Sequence, residues 1–311
     1  MRLLPEPGVM PSDPSEESDE DRLVPAEAFS LLANEDRVDI LLTLGDATEF
    51  GEVRTLSFSE LRREVDVADS GRFNYHLDQL VGPFVKEEPD GYGLTYPGVL
   101  VHGAVRAGTL TDRSHVEPFE TGETCPACGG TLEGAYRDQL LRVSCVDCGT
   151  LMGKLHVPPG ARRAGADHLL RAGYGFVLRE AVVIREGICP NCGDELRHDF
   201  VTEERAAEGR DLPGATVLHR CEGCGFFVHS TAALTLLVHP EVVSFFADHG
   251  VDLLAGRLDE PGLTEGGDAV EVRSRDPWRV AVTATARDEA LEVVLDGDLD
   301  VVRTERRNAE D

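Results

Sequence analysis

The residues most able to do chemistry in this sequence are its eight cysteines, which all fall into Cys-x-x-Cys pairs followed directly by glycine. The four pairs are Cys125–Cys128, Cys145–Cys148, Cys189–Cys192 and Cys221–Cys224. Two intervening residues let both thiolates reach one ion from a tight turn, and the glycine supplies the positive φ that closes the turn. The pattern predicts metal binding through thiolates, because a disulfide framework is typical of shorter, secreted chains.

The spacing of the pairs predicts two sites that each hold one structural Zn²⁺. Sixteen residues lie between the first two pairs, enough for a β-hairpin, and 28 lie between the last two. Four thiolates fill a tetrahedral zinc site, whereas catalytic zinc keeps an open position and commonly has histidine or carboxylate ligands. Both blocks resemble zinc ribbons, a family typified by Cys-Pro-x-Cys-Gly turns such as those that begin at Cys125 and Cys189. Pairing in sequence order is the simplest topology, and a nested arrangement is the alternative.

Two other interpretations of these blocks are weaker. A thioredoxin-like redox pair needs one such motif between a strand and a helix, and the chain has four motifs. Four histidines near the cysteines are expected to be surface or core residues rather than ligands. They are His156, His198, His219 and His229.

The charge balance of the chain is strongly acidic, with 58 acidic against 30 basic residues and a formal net charge of −28. Only two of the basic residues are lysines, Lys86 and Lys154. This acid excess with little lysine resembles the proteins of salt-in halophilic archaea, whose carboxylate-rich surfaces stay hydrated in molar KCl. The alternative, an acidic disordered protein, is disfavoured by an apolar content of 41%. Net charge is therefore a weak guide to the partners of this chain.

The first strong helical signals lie between residues 25 and 65. A helix is predicted over 26–33, and Asn34 then has the character of an N-cap before two acidic residues that suit the helix dipole. Apolar residues follow at helical spacing, and Gly45 is expected to end this helix. The string Ser57-Phe58-Ser59-Glu60 fits a capping box that opens another short helix.

A further helix is predicted over 70–81, because Phe73, Leu77 and Leu80 recur on one face. The turn-forming Pro89-Asp90-Gly91 then predicts a β-hairpin. Helices followed by such a hairpin are the order of a winged helix-turn-helix. The strings LLANEDRVDIL, from residue 31, and YHLDQL, from residue 75, resemble ArsR-like regulators.

The ArsR-like resemblance covers about residues 25–108 and implies binding of double-stranded DNA, usually as a homodimer, with residues 99–107 as a candidate dimerisation helix. It places the helix over 70–81 in the major groove. Five residues of this helix are the candidate DNA contacts. They are Arg72 and Gln79 for base edges or phosphate, Asn74 and Tyr75 for the DNA backbone, and His76 at the boundary between the core and the DNA-facing side. The region has no cysteine, so thiolate metal sensing of the usual ArsR kind has no ligands there.

The charge of this region opposes DNA binding in ordinary buffer. Residues 26–108 hold 15 acidic and 7 basic side chains, and the tip of the predicted wing is Glu87-Glu88-Pro89-Asp90. Such a surface repels phosphate unless salt screens the repulsion. A winged helix that contacts only proteins is therefore the alternative for this region.

These patterns predict a multidomain α+β chain. Its segments are a disordered acidic tail (1–24), a winged helix-turn-helix domain (25–108), zinc ribbon 1 (118–158), a connecting segment (159–186), zinc ribbon 2 (187–230), a C-terminal helix plus β-hairpin (231–302) and a disordered tail (303–311). The connecting segment contains a possible helix over 166–172 and then an apolar run over 176–184.

The sequence favours a DNA-binding transcriptional regulator with structural zinc ribbons. The alternative is a zinc-ribbon adaptor that contacts a protein partner, such as the transcription machinery, and does not itself bind DNA. An enzyme is not expected, because the sequence shows no Ser/His/Asp set, phosphate loop or open metal site. No apolar run approaches the ~20 residues that a membrane helix needs. No secretory signal is visible at the N-terminus, and a cytoplasmic location is expected.

Overall fold

A computed structural model of the chain describes residues 23–49, 52–201, 215–255 and 270–309. The chain divides into two compact units, Met1–Leu110 and Thr111–Asp311, which are called unit 1 and unit 2 below. Among the described residues, no helix is both long enough and apolar enough to span a bilayer.

Unit 1 is mainly helical, with two small antiparallel sheets, β1 with β2 and β3 with β4. Its elements are α1 (Pro25–Leu32), α2 (Glu35–Asp46), β1 (Thr48–Glu49), β2 (Glu52–Val53), α3 (Phe58–Val65), α4 (Ser70–Leu80), β3 (Val85–Glu88), β4 (Gly91–Leu94) and α5 (Tyr96–Ala107).

Local capping explains where the helices of unit 1 begin. The Asn34 side chain accepts a hydrogen bond from the backbone N–H of Arg37 at 3.2 Å and so caps α2. The predicted capping box at α3 is confirmed, because Ser57 and Glu60 each accept a hydrogen bond from the other's backbone N–H. The end of α2 was predicted wrongly by one residue, since the helix continues past Gly45 to Asp46.

The core of unit 1 fixes the orientation of α4. Its predicted apolar face, Phe73, Leu77 and Leu80, is fully buried in one cluster with Ile40 and Leu41 of α2. Burying such side chains contributes about 1.5–3 kcal/mol each. Because this face is held in the core, the opposite face of α4 is exposed.

Unit 2 contains three antiparallel sheets with the strand orders β5-β6-β7-β8, β11-β10-β9 and β12-β13-β14-β15. Its strands are β5 (His115–Thr124), β6 (Thr131–Arg137), β7 (Leu140–Cys145), β8 (Leu151–His156), β9 (Arg197–Phe200), β10 (Thr216–Arg220), β11 (Phe227–Thr231), β12 (Val270–Arg275), β13 (Trp278–Ala286), β14 (Glu289–Leu295) and β15 (Val301–Asn308). Its helices are a 3-10 helix (Pro159–Ala164), α6 (Ala166–Arg185), α7 (Ala232–Thr235) and α8 (Pro240–Asp248).

Most of the connecting segment forms one continuous helix, α6, where the sequence predicts a short helix and then an apolar run. Gly173 lies inside this helix, where glycine costs about 1 kcal/mol relative to alanine. The structure shows why glycine is tolerated there. A Cβ at position 173 would stand only 3.1–3.3 Å from Leu155, Leu141 and Val157, so the glycine lets α6 lie close to the β5–β8 sheet.

The C-terminal region differs from the prediction in two further places. The apolar stretch after β11 is divided into α7 and α8, with Pro240 at the start of the second helix. The predicted hairpin is the centre of a four-stranded sheet, and residues 303–308, expected to be disordered, form most of β15. Main-chain pairing with β14 and ion pairs from Arg306 to Glu289 and Asp248 hold this charged strand. The predicted tail over 1–24, apart from its last two residues, lies outside the described residues, as does a Pro/Gly/Asp-rich stretch over 259–268 that the sequence predicts to be a linker.

Candidate metal centres

The structure brings the eight cysteines together in two clusters of four, paired in sequence order rather than nested. The first cluster is Cys125, Cys128, Cys145 and Cys148, and the second cluster is Cys189, Cys192, Cys221 and Cys224. In each cluster the first cysteine of a pair is buried and the second is exposed. None of the eight forms a disulfide.

The spacing of the sulfurs fits a tetrahedral ion. The four Sγ atoms of each cluster lie within 4.8 Å of one another. Cys125 and Cys148 stand 3.8 Å apart and Cys128 and Cys145 3.5 Å apart. The matching distances in the second cluster are 3.7 and 3.6 Å. Metal–sulfur bonds of about 2.3 Å in a tetrahedron separate the sulfurs by about 3.8 Å, so both clusters are positioned to bind a metal ion.

The backbone turns of the two clusters are alike. In each pair, the glycine after the second cysteine donates its N–H to the carbonyl of the first cysteine, at 2.7–3.1 Å. The predicted positive φ is present in every one of these glycines. The values are 74° at Gly129, 74° at Gly149, 79° at Gly193 and 74° at Gly225. A side chain at these positions would strain the turn that aims both sulfurs at one point.

Polar neighbours stabilise one exposed thiolate in each cluster. The Thr150 hydroxyl, 3.1 Å from Cys148 Sγ, lowers the pKa of this thiol to about 6, with the Thr150 backbone N–H contributing. In the second cluster the Asn191 side chain lowers the pKa of Cys224 to about 6, and the backbone of Phe226 adds to the effect. Hydrogen bonds to the charged form favour the thiolate, which is the form that binds metal.

Beside each cluster, a carboxylate from one Cys-x-x-Cys turn faces a glycine from the other turn. The carboxylate comes from the second turn in the first cluster, and it follows the first turn in the second cluster. In the first cluster, Asp147 lies inside the second Cys-x-x-Cys turn and accepts a hydrogen bond from the Thr131 N–H at 3.3 Å. A side chain at Gly130, after the first turn, would collide with this carboxylate. In the second cluster, Asp194 follows the first turn, and a side chain at Gly223 inside the second turn would collide with it.

The sheet beside the second cluster carries a chain of polar side chains. His219 is fully buried, and its Nδ1 lies 2.8 Å from Nδ1 of His198 while its Nε2 lies 2.7 Å from the Ser230 hydroxyl. Burial lowers the pKa of both imidazoles, that of His219 to about 4. His219 thus contacts both His198 and Ser230. Neither histidine belongs to a cysteine cluster.

The candidate DNA contacts on α4 fall into two groups. Asn74, Tyr75 and Gln79 are exposed, and Tyr75 retains 60% of its accessible surface. Arg72 is also exposed, but its guanidinium forms an ion pair with Asp36 of α2 at 2.6 Å. His76 is buried, with Nε2 3.1 Å from the same Asp36 carboxylate.

Sequence reasoning missed the residues that support the clusters. Thr150 and Asn191 stand close to the cysteines in the sequence, and a polar side chain inside or just after a Cys-x-x-Cys turn is a signal that could have found them. The contacts of Asp147 with Gly130 and of Asp194 with Gly223 have no signal in the sequence of a single Cys-x-x-Cys turn. They become visible only when the two turns of one cluster are seen in contact.

Fold and clusters together define unit 2 as a set of small sheets with two four-cysteine clusters that are positioned to bind metal ions and compatible with zinc ribbons. Residues 122–301 match the family described as a domain of unknown function (DUF7351). The match covers more than half of the chain, so the chain belongs to this family. Residues 25–105 match a second family, also described as a domain of unknown function (DUF7347). No curated protein and no solved structure matches the chain.

Proposed function

We propose that this chain is a DNA-binding transcriptional regulator, with unit 1 as an ArsR-like winged helix and unit 2 carrying two structural Zn²⁺ ions. The observation that carries the proposal is the two-sided α4. Its apolar side is buried in unit 1, and its polar side leaves Asn74, Tyr75 and Gln79 exposed shortly before the β3–β4 hairpin. An exposed polar helix followed by a hairpin is the arrangement that inserts a recognition helix into the major groove.

Within this proposal the five candidates on α4 take different parts. Tyr75 and Asn74 contact phosphates, and Gln79 reads a base edge. Arg72 must exchange its ion pair with Asp36 for a phosphate, so its net gain on binding is small. His76 is buried against Asp36 and acts as a positioning residue for this carboxylate.

The assignment of zinc rests on the donor set. Tetrahedral sets of four sulfurs select Zn²⁺ or iron–sulfur chemistry, and a mononuclear site with four thiolates leaves no position open for a substrate. Each cluster would hold its ion structurally. Elemental analysis of the full chain should give two zinc ions per chain, and one metal per chain, or iron, would contradict the assignment.

Homodimerisation through α5 is part of the proposal. Three of its apolar or aromatic side chains are exposed, Tyr96 at 74%, Val99 at 41% and Leu100 at 56%. A helix that exposes such side chains is a candidate protein contact. Sedimentation of the full chain should give twice the mass of one chain, and Leu100→Glu should give monomers.

The DNA proposal is tested by selecting duplexes from a random library with the full chain in molar KCl. We expect one motif to be enriched. Tyr75→Ala should then weaken binding of that motif by about 1.5–3 kcal/mol, at least about tenfold in Kd, because it removes a hydrogen bond to a charged phosphate. Phe29→Ala is the matched control, since Phe29 is another aromatic residue of unit 1, 74% exposed and outside α4. Equal losses in both variants, or no enriched motif, would overturn the proposal.

The acidic surface makes the salt dependence of binding a second test. The Debye length grows from about 3 Å at 1 M to about 10 Å at 0.1 M, so lowering salt strengthens repulsion between DNA and the 58 acidic side chains. We expect binding of the selected duplex to persist in molar KCl and to weaken below a few tenths molar. Fluorescence anisotropy measures binding, and circular dichroism follows folding in parallel. Tightest binding at 0.1 M by a fully folded chain would contradict a halophilic adaptation.

A protein-interaction adaptor is the second candidate function. It is favoured by apolar side chains exposed beside the clusters, Val146 at 56% between Cys145 and Cys148 and Phe227 at 67% after Cys224. Solvent-exposed apolar residues such as these suit a protein contact. An absent DNA motif together with a partner whose binding is lost in Phe227→Ala would favour the adaptor.

A further inference from the structure

Unit 2 contains a cavity of about 640 Å³ that is separate from the cysteine clusters. Strand β8, helix α6, the β9–β11 sheet, α7 and the segment 298–301 contribute to its walls. Pockets of about 300–1,000 Å³ are typical of sites that take drug-sized organic molecules. The cavity is therefore large enough for such a ligand.

The buried part of the cavity wall is apolar apart from His219. Helix α6 contributes Tyr174 and Ile184, α7 and its C-terminal end contribute Leu236 and Leu237, and Leu253 completes this set of buried apolar or aromatic lining residues. The Tyr174 hydroxyl donates a hydrogen bond to the Leu253 carbonyl at 2.9 Å. A ligand in this space would lie mainly against hydrocarbon and an aromatic ring.

The charged lining residues lie at the rim. Five of the six are exposed, and the sixth, Glu180, is half-buried. The exposed five are Lys154, Arg185, Glu186, Asp298 and Asp300. A charged group buried without a partner is strongly disfavoured. The interior thus selects against a ligand that carries its charge inside.

Among the described lining residues, one buried side-chain polar atom has no partner. His198, His219 and Ser230 line the cavity but are joined to one another by contacts of 2.7–2.8 Å. His239 also lines it, and its buried Nδ1 has no hydrogen-bond partner among the described residues. A buried polar atom without a partner is uncommon in native proteins and is satisfied when a ligand supplies the bond.

We propose that this cavity binds an uncharged, mostly apolar organic molecule with one hydrogen-bonding group that meets Nδ1 of His239. The proposal concerns unit 2 alone and does not depend on DNA binding by unit 1. Size, an apolar interior, rim charges and one unpaired polar atom each point to the same class of ligand.

The test uses two fluorescent probes with the zinc-loaded full chain in molar KCl. Aminoanthracene is uncharged and carries an N–H donor, whereas anilinonaphthalene sulfonate is anionic. We expect aminoanthracene to bind at one site per chain with enhanced, blue-shifted emission, and the sulfonate to bind at least about tenfold more weakly. Absence of aminoanthracene binding, or equal affinity for both probes, would overturn the proposal.

Matched substitutions on α6 locate the bound probe. Ala181 lines the cavity, and its neighbour Val182 does not and is 51% exposed. Ala181→Trp should abolish aminoanthracene binding, and Val182→Trp should leave it unchanged. Met152→Trp fills the cavity from β8 and replaces Ala181→Trp if that variant loses its metal or its circular dichroism. Binding that survives both filling variants, or that is lost in Val182→Trp, would place the probe elsewhere and overturn the proposal.

The polar contact has its own variant. His239→Leu keeps the size of the side chain and removes the unpaired nitrogen, so aminoanthracene should bind roughly three- to tenfold more weakly. Circular dichroism and metal content serve as controls for folding. Unchanged affinity would overturn the role assigned to His239.

Discussion

In unit 1, eleven buried apolar side chains, mostly from α2, α3, α4 and the hairpin, form one core, and none of them is a cysteine. Around the second cysteine cluster of unit 2, four buried residues form the local core, Ile184, Cys189, Leu196 and Cys221. Half of that core is cysteine from the candidate metal site. The first cluster is intermediate, because Cys125 and Cys145 share their core with six other residues.

This difference indicates how each region stays folded. Unit 1 buries eleven apolar side chains without a cysteine, whereas the turns that hold the second cluster have a local core of only two aliphatic side chains besides the cysteines. The β9–β11 sheet beyond these turns also packs Phe200 and Val217 into the large core with α7, α8 and the C-terminal sheet. We therefore expect a metal ion to supply at the turns the stability that hydrophobic burial supplies elsewhere. Dependence on the metal should therefore increase from unit 1 to the first cluster and then to the second.

Removing the metal should have the largest effect and tests this order directly. Structural zinc contributes about 10–16 kcal/mol of apparent binding free energy per site. With increasing chelator, we expect backbone amides of the second cluster's turns, over 188–196 and 221–226, to lose protection from hydrogen exchange first, then those of the first cluster's turns, over 125–131 and 145–150. Amides of α2 and α4 should stay protected. Mass spectrometry of deuterium uptake measures all three regions in one experiment.

Added zinc should restore protection in the turns of both clusters, which serves as the control for irreversible damage. Loss of protection in α2 at the same chelator concentration as in the turn around Cys221 would mean that the two units do not differ in their dependence on metal.

A core truncation in unit 1 should give the next largest effect. Phe73→Ala removes a fully buried ring and should lower the free energy of unfolding of unit 1 by about 3–5 kcal/mol. The metal content should remain unchanged, because the core of unit 1 contains no cysteine. Denaturant titration followed by circular dichroism gives the first quantity and elemental analysis the second.

Arg72→Ala is the control for this truncation. Arg72 is adjacent in sequence, its side chain is 61% exposed, and its ion pair with Asp36 is worth about 0–1 kcal/mol at the surface. Similar losses in the two variants would mean that α4 has been assigned the wrong register.

Losing the capping box of α3 should cost less. Ser57→Ala removes the hydroxyl that accepts from the Glu60 N–H at 3.3 Å, and we expect unit 1 to lose about 0.5–2 kcal/mol. Ser59→Ala, at an exposed position in the same turn, should be close to neutral. Thermal unfolding of both variants checks the pair, and equal melting temperatures would show that the cap contributes nothing.

The smallest expected effect lies beside the first cluster. Tyr136 is buried and donates its hydroxyl to the Val157 carbonyl at 2.9 Å. Tyr136→Phe should lower the stability of this sheet by about 0.5–1.5 kcal/mol, the net value of one hydrogen bond, as measured by denaturant titration of the zinc-loaded chain. Tyr96→Phe, at a residue 74% exposed, should change nothing. If Tyr136→Phe lowered the stability by more than about 1.5 kcal/mol, side-chain packing would contribute more to the fold around the first cluster than we expect.

What could be predicted from the sequence was local. The cysteine turns, the caps at Asn34 and Ser57 and the apolar face of α4 each depend on residues a few positions apart, and their physical signals lie within one turn of chain. The helices of unit 1 and the cysteine clusters were accordingly well described before the structure.

What could not be predicted depends on distant contacts. The close approach of α6 to β7 and β8 at Gly173 depends on residues far away in the sequence. The charged β15 reads as a disordered tail because its order comes from main-chain pairing with β14. The cavity has no sequence signal at all, since β8, α6, the β9–β11 sheet and the segment 298–301 approach each other only in the folded chain.

The facing carboxylate and glycine beside the two clusters limit how the turns can be recombined. If the first turn of the second cluster, with Asp194, replaced its counterpart in the first cluster, two carboxylates, Asp194 and Asp147, would face each other. The reverse replacement would leave two glycines, Gly130 and Gly223, facing each other with no carboxylate between them. A turn can be transplanted only together with its opposite half. Each half-site is thus matched to its own partner by a carboxylate that faces a glycine, although all four turns present the same pair of cysteines.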